Sequence, residues 1–334
     1  MNMNPQNSNL LENLNIWLLI DDRAGNKSQI LGVAKAFGGA YEIKDIVYNA
    51  VAALPNRVLG ATFKTISSDT KKALTPPWPD LVISAGRRTA PIARKIKNLS
   101  ASKSKLVQIM YPGPEGDDAF TLIAVPSHDQ LSKAQNRMEI TGAPHAITAK
   151  TLQTAQTIWA DKFSHLPRPY IALIVGGSTK RKTFTSEMAT ELGAQAARLA
   201  KISGGSLLIT TSRRSTDDAT KALLQAVRDT PVNIFKWGDE GDNPYFGYLS
   251  LADHVIVTGD SVSMCSEACA TPKPVYIYAP KDLIGRKHAH LHADLYAKGY
   301  AEPLRDDTTL SDWTHPPLNP AVDIAKEIKR RLKL

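Results

Sequence analysis

The chain has 334 residues, of which 43% are hydrophobic and 22% are charged, a balance that is typical of globular proteins and excludes disordered, collagen-like and coiled-coil chains. Its net charge of +9 favours anionic partners such as nucleotides, phosphorylated sugars, acidic membranes or nucleic acid. The two cysteines exclude a disulfide framework and favour a reducing compartment, and no aliphatic run approaches the roughly 20 residues that span a bilayer.

Short apolar runs alternate with helical stretches in the first half of the chain. Residues 16–20 form a continuous apolar run that is typical of a buried parallel strand, and a helix is predicted from residue 26 to residue 37. Further strands are predicted at 81–84, 106–110, 122–125 and 137–141, with a helix at 90–99. This alternation predicts a parallel α/β sheet.

The second half repeats the alternation more regularly. Its predicted strands are 170–175, 206–210, 232–235, 254–258 and 274–278. Its predicted helices are 186–200, 216–228, 244–252, 262–270 and 286–298. This pattern is typical of a doubly wound α/β domain.

The proline-containing segment 164–169 marks the predicted boundary between two domains, because Pro167 and Pro169 interrupt the pattern after a helix at 149–163. We therefore expect a disordered lead-in at 1–15, an N-terminal α/β domain at 16–166 and a C-terminal α/β domain at 167–318. A basic terminal helix is expected at 319–334.

Five loops directly follow predicted strands, where ligands bind in open α/β sheets. They are 21–29, 84–88, 176–182, 211–214 and 258–263. Four of the five contain Arg or Lys, which predicts a composite anion site. The alternative is that these are ordinary solvated surface loops.

The segment 260–267 is the strongest single candidate, because a strand ends there and a helix begins. Ser261 and Ser263 are placed to donate hydrogen bonds to a phosphate, and Glu267 to accept two ribose hydroxyls. The alternative is that Asp260 or Ser261 only caps the helix and that Glu267 is only a favourable acidic residue early in it.

Other motifs are weaker. His288 and His292 have metal-ligand spacing on a helix but no third ligand, so a solvated helix face is the favoured interpretation. Cys265 and Cys269 are interpreted as small core residues. The chain has no Walker, GxGxxG or GxSxG motif, which disfavours kinase-type, Rossmann dinucleotide and hydrolase functions.

Nine short motifs follow one another between residues 16 and 303: 22–25 with Gln29, 84–91, 142–145, 176–180, 210–214, 243–245, 260–264, 267–268 and 273–276. In this order they resemble the bacterial relatives of the plant mitochondrial fission factor of the ELM (elongated mitochondria) type. The fold of that family is similar to that of GT-B glycosyltransferases.

The resemblance implies two doubly wound, Rossmann-like α/β domains that face a cleft. The C-terminal domain would hold a nucleotide-sugar donor and the N-terminal domain an acceptor, with the terminal helix returning to the N-terminal domain. It also implies transfer without a metal ion or a separate cofactor, because basic loops or a helix N-terminus neutralise the departing diphosphate.

We therefore expect a cytoplasmic, metal-independent glycosyltransferase. Asp22 is the candidate general base, with Asp21 as the second choice. The residues expected at the acceptor are Arg23, Gly25, Gln29, Gly86, Arg87 and Arg88. Those expected at the nucleotide sugar or nucleoside diphosphate are Gly176, Gly177, Ser178, Thr179, Lys180, Ser212, Arg213, Arg214, Asp260, Ser261, Ser263, Met264 and Glu267.

The alternative function is a non-catalytic adaptor that recruits a protein partner at a membrane surface, as the plant factor does. The basic stretch 326–334 predicts peripheral, salt-sensitive contact with an anionic membrane at its inner face, although its helical spacing also predicts a helix docked on the body. Nucleic acid is not an expected partner, because the basic loops lack an interleaved aromatic platform.

Overall fold

The computed structural model describes Leu11 and residues 13–334, which divide into two compact units. The first unit runs up to Ala146 and also contains Asn319–Leu334, and the second is Ile147–Leu318. The predicted disordered lead-in lies mostly outside the described residues. Leu11 departs from that prediction, because its apolar side chain is buried in the core of the first unit.

The first unit contains a six-stranded parallel sheet in the order β2-β1-β3-β4-β5-β6. Its strands are β1 (Ile16–Ile20), β2 (Glu42–Asp45), β3 (Leu81–Ala85), β4 (Lys105–Ile109), β5 (Leu122–Pro126) and β6 (Arg137–Ile140). Its helices up to this point are α1 (Ala24–Phe37), α2 (Asn56–Leu59), α3 (Ser68–Ala73) and α4 (Ala90–Leu99). Strands β1 and β3 are buried along their whole length because helices cover both faces of the sheet.

The second unit contains another six-stranded parallel sheet, in the order β12-β11-β10-β7-β8-β9. Its strands are β7 (Tyr170–Ile174), β8 (Ser206–Thr210), β9 (Val232–Phe235), β10 (His254–Thr258), β11 (Val275–Tyr278) and β12 (Glu302–Pro303). Its helices are α5 (Ala149–Phe163), α6 (Ser186–Ser203), α7 (Asp217–Ala226), α8 (Tyr245–Leu251), α9 (Val262–Ala268) and α10 (Arg286–Ala297).

Helix α5 belongs to the second unit, whereas the sequence placed it before the domain boundary. Trp159 stacks on Phe163 with ring centroids 5.7 Å apart, and Phe163 packs against Tyr248 at 5.4 Å. These aromatic contacts bury one side of α5 against α8. The division therefore falls at Ala146 and Ile147, ahead of the helix rather than at the prolines that follow it.

The terminal helix α11 (Pro320–Leu332) packs in the first unit. The side chain of Asn319 accepts a hydrogen bond from Val322 N, and Pro320 occupies the first helical position, where its missing N–H costs nothing. Ile324 and Ile328 are buried in the core that also contains β1 and α1. Arg331 donates from Nη1 to the carbonyl of Thr121 at 2.7 Å, which fixes the basic end of the helix.

Each sheet has one point at which the strand order reverses. It lies between β1 and β3 in the first unit and between β7 and β10 in the second. Ligands of open α/β sheets bind at such points, beyond the carboxyl ends of the strands. Nowhere in the described chain is a helix both long enough and apolar enough to cross a membrane.

Candidate functional site

The loops that follow β7 and β10 are hydrogen-bonded to each other at the strand-order reversal of the second unit. Gly176 N donates to Thr258 Oγ1 at 2.7 Å, and Gly177 N donates to Asp260 Oδ2 at 3.0 Å. A Cβ atom at position 176 would lie 2.4 Å from Asp260 Oδ2. Glycine is therefore required at this position so that the carboxylate can approach the turn.

Arg214 brings the loop after β8 to the same place. Its Nη1 atom lies 2.6 Å from Asp260 Oδ2 and also donates to the carbonyl oxygens of Gly177 and Ser178 at 3.1 and 3.2 Å. The carboxylate of Asp260 is fully buried, and its Oδ1 has no hydrogen-bond partner in the described part of the chain. Arg214 and Asp260, both expected to contact the nucleotide, thus neutralise each other and hold three loops together.

Serine and threonine hydroxyl groups also hold these loops together through hydrogen bonds to the backbone. Ser212 Oγ and Ser215 Oγ both donate to the carbonyl of Gly176, the latter at 2.6 Å. Ser178 Oγ accepts from Phe184 N at 3.0 Å, and Thr179 Oγ1 accepts from Lys182 N at 3.1 Å. Because Ser178 uses only a lone pair in this bond, its hydroxyl proton remains free to bond to a ligand.

Lys180 and Arg213, two cationic residues that were predicted to bind the nucleotide, lie exposed on the loops after β7 and β8. Neither side chain contributes to the Arg214–Asp260 contact. The loops therefore combine a neutralised, buried centre with positive charge at the surface. Such an arrangement suits an anion that meets the exposed cations.

Glu267 is held by a residue to which the sequence assigned no role. Tyr245 donates its hydroxyl to Glu267 Oε2 at 2.6 Å, and burial raises the pKa of Glu267. Burial and the neighbouring carboxylate also raise the pKa of Tyr245 well above its ordinary value, so it stays protonated. Ser261 caps α9 by accepting from Met264 N, while Ser263 is half-buried. The nucleotide roles of these α9 residues remain predictions.

Trp237 is an exposed aromatic residue that the sequence analysis missed. Its backbone N–H donates to Thr211 Oγ1 at 2.9 Å, which places it beside the loop after β8. The indole is 62% exposed, although a side chain of this size is usually largely covered. The only signal in the sequence was its position two residues after a predicted strand.

In the first unit, the carboxylate of Asp21 is engaged by hydrogen bonds from neighbouring residues of the same loop and helix. Asn26 donates from Nδ2 to both carboxylate oxygens at 3.1 Å, and Arg23 N donates to Oδ1 at 3.2 Å. Gly86, with a φ angle of 77°, lets the loop after β3 approach Asn26, since a Cβ atom there would lie 3.0 Å from its amide nitrogen. Asp21 therefore fixes the start of α1 against β3.

Asp22 is 74% exposed and faces Arg88, whose Nη2 lies 3.3 Å from Asp22 Oδ1. The guanidinium of Arg88 stacks over Tyr48 at 4.4 Å, and the buried Tyr48 hydroxyl has no hydrogen-bond partner among the described residues. Burial, then the carboxylate of Asp21, raises the pKa of Tyr48. These residues line a cleft of about 510 Å³ together with Asp45 and Asn49.

The other predicted acceptor residues do not join Asp22 in this cleft. Arg87 points to a neighbouring cleft of about 480 Å³ and donates from Nη1 to the carbonyl of Leu54 at 2.8 Å. Arg23 and Gly25 are exposed and Gln29 is half-buried at the start of α1, and none of them lines either cleft. The structure thus brings Asp21, Asp22 and Arg88 together in one cleft. Arg23 and Gly86 adjoin Asp21 and its partner Asn26 without lining that cleft, and Arg87, Gly25 and Gln29 lie elsewhere.

His292 departs from the predicted solvated helix face, whereas His288 is half-buried. His292 is buried because α10 packs its ring against Gly259, where a Cβ atom would lie 2.5 Å from the imidazole carbon. Burial, with His288 nearby, lowers the pKa of His292 to about 4. Cys265 and Cys269 are free and buried. The described residues contain no group of three or more His, Cys, Asp or Glu side chains that could hold a metal ion.

The sequence matches the model of the mitochondrial fission ELM1 family over residues 24–332. The chain belongs to this family. An uncharacterised protein of Rickettsia prowazekii is 30% identical over 356 residues, covering 96% of this chain and 99% of the relative. The mitochondrial fission protein ELM1 of Arabidopsis thaliana is 28% identical over 298 residues, covering 82% of this chain and 69% of the relative.

The solved structures that resemble this ELM1-family chain include the UDP-GlcNAc 2-epimerase of Methanocaldococcus jannaschii. It superposes with a TM-score of 0.59 at 12% identity, covering 96% of this chain and 99% of the other. The same enzyme in complex with UDP-GlcNAc and UDP gives a TM-score of 0.51, also at 12% identity, covering 96% and 99% of the two chains. At such identity the likeness shows the fold alone, and the predicted α/β, GT-B-like fold is confirmed.

Proposed function

We propose that this protein binds a nucleotide sugar on the loops of its second unit and transfers the sugar to an acceptor bound by the first unit. The observation that carries the proposal is the ion pair between the half-buried Arg214 and the buried Asp260, which ties together the loops after β7, β8 and β10 at the strand-order reversal. Burying a charged carboxylate costs desolvation free energy. The pair would offset this cost functionally by fixing the three loops, here called the binding edge, in a conformation that is ready to bind a ligand.

Phosphate is the ligand group that fits this edge best. Lys180 and Arg213 provide exposed positive charge on two of the three tied loops. The Ser178 hydroxyl proton, which no other contact of the described residues uses, adds a hydrogen-bond donor beside these cations. These cations would neutralise the departing diphosphate, so the proposed transfer needs no metal ion. The epimerase solved with UDP-GlcNAc and UDP supports a uridine nucleotide as the first ligand to test.

The proposed chemistry uses Asp22 as the general base. Its carboxylate would take the proton of an acceptor hydroxyl while the acceptor oxygen forms a bond to the anomeric carbon of the sugar. The bond from that carbon to the diphosphate oxygen would break, and the nucleoside diphosphate would leave with the electron pair. The guanidinium of Arg88, 3.3 Å from Asp22, would orient the carboxylate.

The first experiment measures the binding of UDP and UDP-GlcNAc by isothermal titration calorimetry. Replacing the two exposed cations in Lys180→Ala/Arg213→Ala should weaken UDP binding by about 100-fold, because each charged hydrogen bond contributes about 1.5 kcal/mol. The matched control is Lys201→Ala, an exposed lysine in the last turn of α6, a helix that begins after β7 and ends just before β8 starts. It should bind UDP as the wild type does.

The non-catalytic adaptor remains the second candidate. It is favoured by the extent to which the loop groups satisfy one another, since Arg214, Ser212 and Asp260 are all engaged within the protein. The Arabidopsis relative, whose name assigns it to mitochondrial fission, supports the same candidate. A well-folded protein that binds no uridine, adenosine, guanosine or cytidine diphosphate at millimolar concentration would favour the adaptor and contradict nucleotide-sugar transfer.

A further inference from the structure

We propose that the first unit docks on an anionic bilayer through a patch made of exposed aliphatic side chains and lysines. The apolar–basic patch is defined by Val51, Leu54, Val58, Lys64, Lys71 and Lys95. Its three aliphatic side chains are 39%, 45% and 65% exposed. Clustered exposure of this kind marks an interaction surface, whereas single exposed aliphatic residues are ordinary.

The segment 51–58, which carries the three aliphatic residues, is anchored to the first unit by buried residues that lie between them in the sequence. Ala52, within the 3-10 helix Ala50–Ala53, is buried. Asn56, at the start of α2, is also buried and donates from Nδ2 to the carbonyls of Arg87 and Pro112 at 3.1 and 2.9 Å. Because these anchors alternate with the exposed positions, the fold itself holds Val51, Leu54 and Val58 outward.

Lysines from three separate segments surround the aliphatic residues. Lys64 follows α2, Lys71 lies on α3 and Lys95 lies on α4. With Val51, Leu54 and Val58 they line one hollow of about 640 Å³, and no Asp or Glu is among the residues that line it. The patch is therefore apolar at its centre and uniformly positive around it.

This composition fits a bilayer better than a protein partner. Protein interfaces are enriched in Trp, Tyr and Arg and depleted in Lys, which is the opposite of the patch. Aliphatic side chains can enter the boundary of the acyl chains while lysines bind the anionic headgroups. The terminal helix offers no equivalent surface, because its apolar residues Ile324 and Ile328 are buried in the first unit.

The patch adjoins the cleft that contains Asp22. Ala50 lines that cleft, and the next residue, Val51, lines the hollow of the patch. Docking would therefore hold the cleft close to the membrane surface, where a lipid-anchored acceptor hydroxyl is within reach. This consequence rests on the proposed function, whereas docking itself requires neither nucleotide binding nor catalysis.

The experiment measures sedimentation of the full chain with vesicles of phosphatidylcholine alone or with 30% phosphatidylglycerol, without nucleotide, at low and high salt. The variant Lys64→Gln/Lys71→Gln/Lys95→Gln should lose about 100-fold in affinity for the acidic vesicles, since each basic residue near such a surface strengthens binding about fivefold. The control Lys326→Gln/Lys329→Gln/Lys333→Gln removes the same charge from the terminal helix and the residue that ends it, and should lose tenfold or less.

A second readout tests insertion directly. Because both native cysteines are buried, Val58→Cys can be labelled selectively with a nitrobenzoxadiazole fluorophore, and Ile202→Cys on the second unit, 70% exposed in the wild type, is the matched site. Acidic vesicles should shift the emission of the label at position 58 to the blue and leave that at 202 unchanged.

Absence of binding to acidic vesicles at low salt, or equal losses in both lysine variants, overturns the proposal. Circular dichroism verifies that each variant is folded, and UDP titration of the same samples tests the proposed function separately.

Discussion

Asp260 shows how a single residue can determine the architecture of the loops at the strand-order reversal. The sequence offered two roles for it, a ligand contact or a helix cap. Its carboxylate instead accepts from Gly177 N and pairs with Arg214, inside a space that only glycine at position 176 leaves open. A buried carboxylate that loses such partners would be strongly destabilising, so these contacts depend on one another.

The change Asp260→Asn should lower the free energy of unfolding by about 3 kcal/mol, because the amide cannot replace the ionic partner of the half-buried Arg214. Urea denaturation measures the loss. The control is Asp229→Asn, whose carboxylate is 88% exposed and pairs with Arg228, and it should change the free energy of unfolding by less than about 0.5 kcal/mol. Equal stability of the two variants would mean that the buried pair does not hold the loops together.

At the scale of secondary structure, the elements with strong local signals were predicted closely. Strand β7 was predicted at 170–175 from its apolar run and is Tyr170–Ile174, and α6 begins at the predicted residue, capped by Thr185. Strands β2 and β12 were missed because they are short edge strands whose sequences, EIKD and EP, contain no apolar run. Their existence depends on pairing with β1 and β11, which local sequence does not encode.

The carboxylate of Glu327 stabilises α11 in a way that depends on pH. Hydrogen bonds from Arg330 at 2.7 Å and Arg331 at 2.6 Å hold its pKa at about 2, below the ordinary value of 4.5. A carboxyl group with a depressed folded-state pKa stabilises the fold above its unfolded pKa, and this contribution is lost as the pH falls through the folded pKa. The stability should therefore decline between about pH 4.5 and pH 2.

The test compares wild type and Glu327→Gln by urea denaturation at several pH values. The wild-type advantage should be constant above pH 5 and shrink steadily below pH 4.5, because the glutamine variant cannot titrate. Asp323→Asn, which removes a carboxylate that is 60% exposed and 3.9 Å from Lys326, serves as the control for removing one acidic group from the same helix. An advantage of Glu327 that stays flat down to pH 2.5 would contradict the depressed pKa.

At the scale of the whole molecule, the α/β class was predictable because apolar strands alternate with helices, and the resemblance in motif order named the GT-B-like fold. The strand order was not predictable, since it is set by tertiary pairing.

The same limit applies to the site. The rule that ligands meet strand ends selected loops of which three contact one another in the second unit, but it did not reveal that Arg214 would pair with Asp260 or that Asn26 would engage Asp21. Those contacts decide which side chains remain available to a ligand.

The division into two units predicts that catalysis and nucleotide binding can be separated by mutation. Asp22→Asn in the first unit should lower turnover of a bound UDP-sugar by about 10² to 10⁴, the usual effect of removing a general base, because the amide cannot accept the acceptor proton. Its affinity for UDP should be unchanged, because the proposed nucleotide loops all belong to the second unit.

Release of UDP measures turnover, and calorimetry measures affinity on the same preparation. Asp69→Asn, which removes a carboxylate that is 88% exposed elsewhere in the first unit, should leave both quantities at wild-type values. Turnover by Asp22→Asn equal to that of the wild type would remove Asp22 as the base and make Asp21 the next residue to test, even though its two oxygens are engaged by Asn26. A loss of UDP affinity in Asp22→Asn would instead show that the nucleotide contacts the first unit, and the separation of tasks between the units would fail.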